Sequence, residues 1–213
     1  MTYHGTVRVG ADRKVQERSV AMRSRLLDAA LECMVDKGYA ATSTIEVAKR
    51  AGVSRGAQLH HFPTKADLLG AAVEHLLQRR MAEFRDMLAS TDPEADLIDA
   101  GIDLLWSMFQ GPDFVAWAEL WMAARTDPAL AAAVAAIDER FTTESRAMFL
   151  ELYPAEAEAS SALFDIGRDF AFALMEGVAL QRFVPRGQRP PSDYLEVLKQ
   201  MFHLLRDGQG RAS

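Results

Sequence analysis

Residues 52–69 read GVSRGAQLHHFPTKADLL. Gly52 is a helix-ending glycine, and Ser54 can cap a new helix. Pro63 lacks the N–H that would let that helix continue. The segment between them, about 55–61, is therefore a helix of two turns. Just upstream, Ser43–Thr44–Ile45–Glu46 is a capping-box pattern that opens another short helix, about 44–51. At the end of the second helix stand His60 and His61. Adjacent helical side chains point about 100° apart and make a poor chelating pair. The chain has no His-Glu-x-x-His and no cysteine-based metal spacing, so no metal site is expected.

Two short helices joined by a glycine-containing turn make a helix-turn-helix, with the second helix as candidate groove reader. The pattern extends outward from it. A helix over about 18–37 carries the stripe Leu27, Ala30, Leu31, Met34 and Val35 and ends at Gly38. Thr64 opens a long helix to about 89, with Leu69, Ala72, Val73, Leu76, Leu77, Phe84 and Leu88 on one side. Asp92–Pro93 and Asp127–Pro128 are helix-start signals, and further breaks fall at Gly111–Pro112, Pro154 and Val184 to Pro191. They predict five more helices, about 94–109, 113–124, 128–152, 156–184 and 192–206. No alternating apolar pattern survives, so the fold class is all-α with about nine helices. The expected divisions are a flexible arm over 1–17, a three-helix helix-turn-helix domain over 18–69, a larger helical domain over 70–206 and a short tail over 207–213.

Composition agrees with a soluble globular protein: 49% hydrophobic and 25% charged residues in 213. Charge-free runs fall far short of the ~20 apolar residues that span a bilayer, so no membrane partner is expected. No apolar leader opens the chain and Cys33 is its one cysteine, which points to a reducing cytoplasm. The net charge of −6 is uneven. Residues 1–75 hold 11 Lys and Arg against 8 Asp and Glu, a balance of +3, while the remainder carries −9. A mildly basic front on an acidic body suits a local anion-binding module.

The stretch Arg23–Leu69 resembles the tetracycline-repressor (TetR) family of bacterial transcription regulators. The resemblance rests on Asp28–Ala29–Ala30, Lys37–Gly38–Tyr39, Thr42, Ala48 with Ala51–Gly52–Val53–Ser54, and His61–Phe62 with Lys65 and Leu68–Leu69. It implies an N-terminal DNA-binding domain and a helical C-terminal domain that binds a small molecule and dimerises. By correspondence, Thr44, His61 and Lys65 grip phosphates, His60 faces the groove and Arg55 contacts a base. An imidazole N–H donates to phosphate whether neutral or charged, and an arginine fork suits guanine. Gly56 and Ala57 leave room for close approach. Gln58 and Leu59 stand where many relatives carry a buried leucine and a phosphate-binding tyrosine; Gln58 either reads a base or lines the core edge. Ile45 occupies a position where some relatives place a base-contacting arginine. The arm, with Arg8, Arg13, Lys14 and Arg18, is either a solvated tail or a minor-groove arm.

In the body, wide aromatic and Met side chains among alanines suggest an adaptable apolar cavity, with Trp106, Phe109, Trp117, Trp121, Met122, Phe149, Phe172 and Met175 as candidate lining and Glu176 as orienting group. Glu119, Arg125 and Asp169 are further polar residues beside apolar stripes. The helix over 156–184 is apolar on two sides. Its Ile166, Phe170, Leu174 and Gly177, with Leu198 and Phe202 of the last helix, are the candidate dimer contacts, as in a four-helix bundle of two subunits. The expected function is a homodimeric, ligand-responsive repressor that leaves a palindromic double-stranded operator when a small apolar effector binds. No cofactor or catalysis is expected: a di-iron bundle needs Glu-x-x-His twice, and the chain has none. The alternatives are a helical adaptor that binds another protein, and a helical-bundle enzyme.

Overall fold

The computed structural model describes residues 6–92, 94–154, 161–184, 187 and 189–209, with backbone alone for 6–15, 161 and 209. Among these residues there are nine helices and no strand: α1 Thr6–Ala41, α2 Thr44–Arg50, α3 Arg55–His61, α4 Lys65–Ala89, α5 Leu97–Gln110, α6 Pro112–Ala124, α7 Pro128–Leu152, α8 Ser161–Gln181 and α9 Pro191–Gln209. They form two compact units, one of Met1–Leu77 with Val115–Asp138 and one of Gln78–Phe114 with Glu139–Ser213. The units thus differ from the expected division at residue 69: part of α6 and the start of α7 belong with the helix-turn-helix.

Capping chemistry sets the short helices. Ser43 Oγ accepts from Glu46 N–H and Ser54 Oγ from Ala57 N–H, both at 3.2 Å. The expected return bond of the Ser43 box is not made; the Glu46 carboxylate takes Lys37 Nζ instead, and that bond holds it below the usual carboxylate range. At Thr64 the reciprocal box does close, with Thr64 N–H to Asp67 Oδ2 and Asp67 N–H to Thr64 Oγ1, each at 3.0 Å. Gly52, at φ 65°, ends α2 with the paired bonds Gly52 N–H to Lys49 O and Val53 N–H to Ala48 O, a Schellman motif.

Two boundaries differ from the sequence reading. The segment expected as an arm is helical from Thr6 onward, because little except Gly10 opposes helix there; residues 1–5 and the side chains of Arg8, Arg13 and Lys14 lie outside the described residues. The helix expected to start at Asp92–Pro93 starts at Leu97. Asp92 caps only a turn, through Glu94 N–H, whereas Asp96 accepts from Ile98 and Asp99 N–H. Asp96 also receives Arg206 Nη1 of α9 at 2.7 Å, a tertiary partner that Asp92 lacks among the described residues. The expected start near 156 and residues 210–213 of the tail lie outside the described residues.

The first unit packs α1 through Leu27, Ala30 and Met34 against Val47 of α2, Phe62, Leu68, Leu69 and Val73 around α4, and Ala116, Leu120, Leu130 and Val134. The C-terminal turn of α1 is kinked at Gly38, φ 77° and ψ 168°. Side chains satisfy the backbone groups the kink exposes. Tyr39 N–H donates to Glu119 Oε2 at 2.9 Å, Thr42 Oγ1 donates to Gly38 O at 2.8 Å, and Lys65 Nζ donates to Tyr39 O at 2.5 Å and Ala40 O at 3.1 Å.

In the second unit, Phe84, Phe109, Phe114, Phe141, Phe149, Tyr153 and Phe172 form a chain of ring contacts with centroids 5.4–6.2 Å apart. A polar ladder ties α9 to α5: Lys199 to Asp103, His203 to Asp99 and Arg206 to Asp96, each at 2.7 Å. Burial alone would raise the Asp96 carboxyl, but Arg206 and the two capping N–H groups outweigh it and hold it low.

Gly38 and Gly52 separate two causes of glycine dependence. A Cβ at Gly52 meets nothing within 4 Å, while one at Gly38 would stand 2.7 Å from Glu119 Oε2. Gly52→Ala is expected to cost about 1–2 kcal/mol, the left-handed backbone alone. Gly38→Ala is expected to cost about 3 kcal/mol or more, since the clash adds to backbone strain. Urea unfolding of the two variants checks the order.

Candidate functional site

The turn between α2 and α3 leaves one side of α3 outside the core. Arg55, Gly56, Leu59 and His60 are exposed there, and Ile45 of α2 is exposed nearby in sequence. Arg55 opens α3 directly after the Ser54 cap. Gly56 has ordinary helical φ and open space where a Cβ would stand, so nothing in the described fold requires a glycine at this position. Ala57 and Thr44 are half-buried. The His60 and His61 rings meet edge to face at 5.6 Å, and the half-buried His61 leans on Phe62 at 6.3 Å.

Two of the expected DNA contacts, Gln58 and Lys65, are engaged within the fold. Gln58 is 0% exposed and its Nε2 donates to Phe62 O at 2.7 Å. It fills a core position, the core-edge alternative of the two readings, and its Oε1 has no partner among the described residues. Lys65 is half-buried, turned onto the Tyr39 and Ala40 carbonyls, with Nζ 4.4 Å from the Tyr39 ring centroid. Burial lowers its pKa. Two of its three N–H groups thus hold the α1 kink. Glu119, noted in the sequence for ligand orientation, does the same from α6.

The second unit contains a cavity of about 110 Å³, lined by Ile102, Leu105, Phe149, Phe164, Phe202, Tyr153 and Arg168 among others. Of the residues expected to line one, Phe149 does. Phe109 and Phe172 pack behind it in the ring network, and Trp106 and Met175 are buried, all outside the lining. Glu176 is half-buried and is also not in the lining. Trp117, Trp121 and Met122 belong to the first unit. There Ala116 and Leu120 take the inward face of α6; Trp117 packs on the core edge, and Trp121 and Met122 turn outward at 51% and 57% exposure. Periodicity could not separate these faces, because α6 is apolar nearly all round.

Among the expected dimer contacts, Ile166, Phe170 and Gly177 are exposed and Leu174 is half-buried. Leu198 is fully buried, while the half-buried Phe202 packs over Gly167 and lines the cavity, so both make contacts within the chain. The exposed large apolar positions of α9 are Val197, Met201, Leu204 and, at the cavity edge, Leu205. Sequence reasoning passed over Arg168. A single charge in the stripe Phe164, Arg168, Ala171, Met175 and Val178 was the signal that could have found it.

Asp96, Asp99 and His203 place donor atoms within 4.8 Å of one another, but the Arg206 guanidinium already occupies them, 2.7 Å from Asp96 Oδ2 and 2.8 Å from His203 Nδ1. No helix among the described residues is long and apolar enough to cross a membrane.

Residues 26–72 match the family model described as bacterial regulatory proteins, tetR family. The chain is 42% identical over 114 residues to the HTH-type transcriptional regulator CymR of Pseudomonas putida, covering 54% of this chain and 56% of that one. It is 33% identical over 138 residues to the HTH-type transcriptional regulator BetI of Ectopseudomonas mendocina (strain ymp), covering 62% and 69%. The match thus spans little more than half of CymR. A TetR family transcription regulator from Marinobacter aquaeolei VT8 superposes with a TM-score of 0.61 at 18% identity, over 90% of this chain and 97% of that one, a likeness of fold. With its helix-turn-helix, its nine described helices and these relatives, the chain belongs to the tetR family of bacterial regulatory proteins.

Proposed function

We propose that the protein is a homodimeric, effector-responsive DNA-binding transcriptional regulator, with α3 as the reader helix and a repressor's mode of action. The observation that carries this reading is the outer side of α3: an exposed Arg55 at its start, then a glycine that nothing in the described fold requires, then exposed Leu59 and His60. Arg55 supplies a fork for guanine, and Gly56 admits a close neighbour. Leu59 offers an apolar surface to a thymine methyl, and His60, His61 and Thr44 supply donors for phosphate.

Dimerisation is supported by an unpartnered seam. On α8 the exposed positions Ile166, Phe170, Ala173, Gly177 and Leu180 step by four, three, four and three. On α9, Val197, Met201 and Leu204 step by four and three. Ile166 is 65% and Leu204 72% exposed. Alternating three- and four-residue steps on two helices that pack together are the pattern of a helical interface, and a second copy would close a four-helix bundle. Ala173 and Gly177 would allow close approach. The effector reading rests on the cavity of the second unit, which is enclosed largely by apolar side chains.

The direct test is fluorescence anisotropy of the purified protein against labelled duplexes tiling the DNA upstream of its own gene, at several salt concentrations. One duplex bound tightly, with two chains per site and a steep salt slope, is the expected result; equal weak binding to all overturns operator recognition near that gene.

Three substitutions sharpen it. Arg55→Ala is expected to weaken the preferred duplex by about 1–3 kcal/mol and relax its preference at one base pair. Gly56→Ala is expected to raise the unfolding free energy by about 0.5–1 kcal/mol yet weaken DNA binding, opposite signs that a purely structural glycine would not produce. Gln58→Met is expected to leave the pattern of base preference unchanged in a duplex competition series. Charge reversal at Lys65 is a poor discriminator, because it would disturb the α1 kink first.

For the seam, Ile166→Glu with Leu204→Glu is expected to give a monomer by light scattering. Helical circular dichroism should be retained, and tight operator binding lost.

A further inference from the structure

Arg168 lies on α8 and is 8% exposed, on the lining of a cavity whose other residues are mostly aliphatic and aromatic. Its Nε and Nη2 both donate to one oxygen, Asp169 Oδ1, at 3.1 and 2.7 Å. Nη1 is buried and has no partner among the described residues. A guanidinium stays charged at any physiological pH, and a buried donor left unpaired is unfavourable. Asp169 compensates poorly: its side chain is 67% exposed, and one oxygen shared by two N–H groups is not the two-point fork that a carboxylate makes with arginine. No Asp or Glu is among the cavity's described lining residues. The second arginine of the lining, Arg206, is engaged by Asp96 at the exposed edge.

The remaining lining fixes size and shape. Tyr153 OH donates to Leu97 O at 3.1 Å, and its ring lies so close over α5 that a Cβ on Gly101 would stand 2.0 Å from the hydroxyl. Gly101 is therefore what lets Tyr153 form one wall. Phe202, held over Gly167, and Phe149 and Phe164 complete an aromatic enclosure of about 110 Å³. At about 110 Å³ the space is smaller than the ~150 Å³ apolar cavity that admits benzene, and it is open to solvent on one side, so a body of one ring is its upper limit.

We infer that this cavity binds a small monocarboxylate with a one-ring apolar body, its carboxylate on the Arg168 guanidinium and its ring among Phe149, Phe164 and Phe202. The inference rests on the effector reading above and gives that effector its chemical class. The bound carboxylate completes the hydrogen bonding of Arg168, while the ring replaces water against apolar walls.

Calorimetric titration of the full-length protein with benzoate, hexanoate and the neutral benzyl alcohol tests it. The expected result is one benzoate per chain, bound at least about tenfold tighter than benzyl alcohol, the worth of a hydrogen bond to a charged group. Hexanoate should fall between them. Arg168→Met should abolish the preference for benzoate over benzyl alcohol. Asp169→Asn changes an exposed side chain, leaves the fold intact, and should tighten benzoate by removing its competitor. Benzoate bound no tighter than benzyl alcohol, or a preference that survives Arg168→Met, overturns the carboxylate assignment. Benzyl alcohol binding alone overturns it while leaving an apolar effector site. Failure of all three probes overturns the site. Release of operator DNA by benzoate is measured separately, so that binding without release removes the effector role and keeps the site.

Discussion

The first unit depends on how the chain leaves α1. Ending a helix at Gly38 and turning into α2 within five residues exposes backbone groups that must find partners. The described structure answers from three directions. Glu119 of α6 takes the Tyr39 N–H, Lys65 at the start of α4 takes the Tyr39 and Ala40 carbonyls, and Thr42 takes the Gly38 carbonyl. Two of the partners, Glu119 and Lys65, come from other helices of the same unit, and Thr42 comes from the link itself. The same few bonds that satisfy the kink therefore fix the entry into α2, and through the Gly52 turn the placement of α3. Gly38 is required twice, by its backbone angles and by the carboxylate lying where a side chain would begin.

Much of this fold could be read from sequence because its boundaries are chemical. Ser43, Ser54 and Thr64 cap helices where their spacing says they should, and α7 runs from Pro128 to Leu152 as the Asp127–Pro128 and Pro154 signals imply. The reading slipped where two local signals competed and a distant group decided. Asp92–Pro93 and Asp96 both look like helix starts; Arg206, 110 positions from Asp96, selects the second. It slipped again on facing. Helical periodicity shows which residues are apolar, and where a helix is apolar on more than one side it cannot assign sides. For this one reason the sequence does not say that Trp121 and Met122 on α6 face outward and that Leu198 on α9 faces inward.

The polar residues of the body show the same limit from the other side. Asp169 and Glu176 drew notice in the sequence because they flank apolar stripes, while Arg168 stands within one. A charge inside a buried stripe is the costlier placement, since its desolvation must be offset by partners. Asp169 supplies only part of that offset, from an exposed position. The residue that sequence reading passed over is accordingly the one whose surroundings ask for another group.

A similar distinction explains why the family is easy to recognise and its operator is not. Most of the marks that carry the resemblance serve the fold itself, among them Gly38, Tyr39, Thr42, Gly52, Phe62, Lys65, Leu68 and Leu69. In the structure these residues form the kink, the turn and the core. Even Lys65, expected at a phosphate, holds carbonyls of α1. The side chains left outside, Ile45, Arg55, Leu59 and His60, are not constrained by packing. They are free to vary without cost to the fold, and under the proposed reading it is they that would meet DNA; here they depart from the tyrosine and arginine of many relatives. Architecture and readout occupy different faces of the same seven-residue helix. A motif set by the inner face identifies the fold, and only the outer face can choose the sequence it binds.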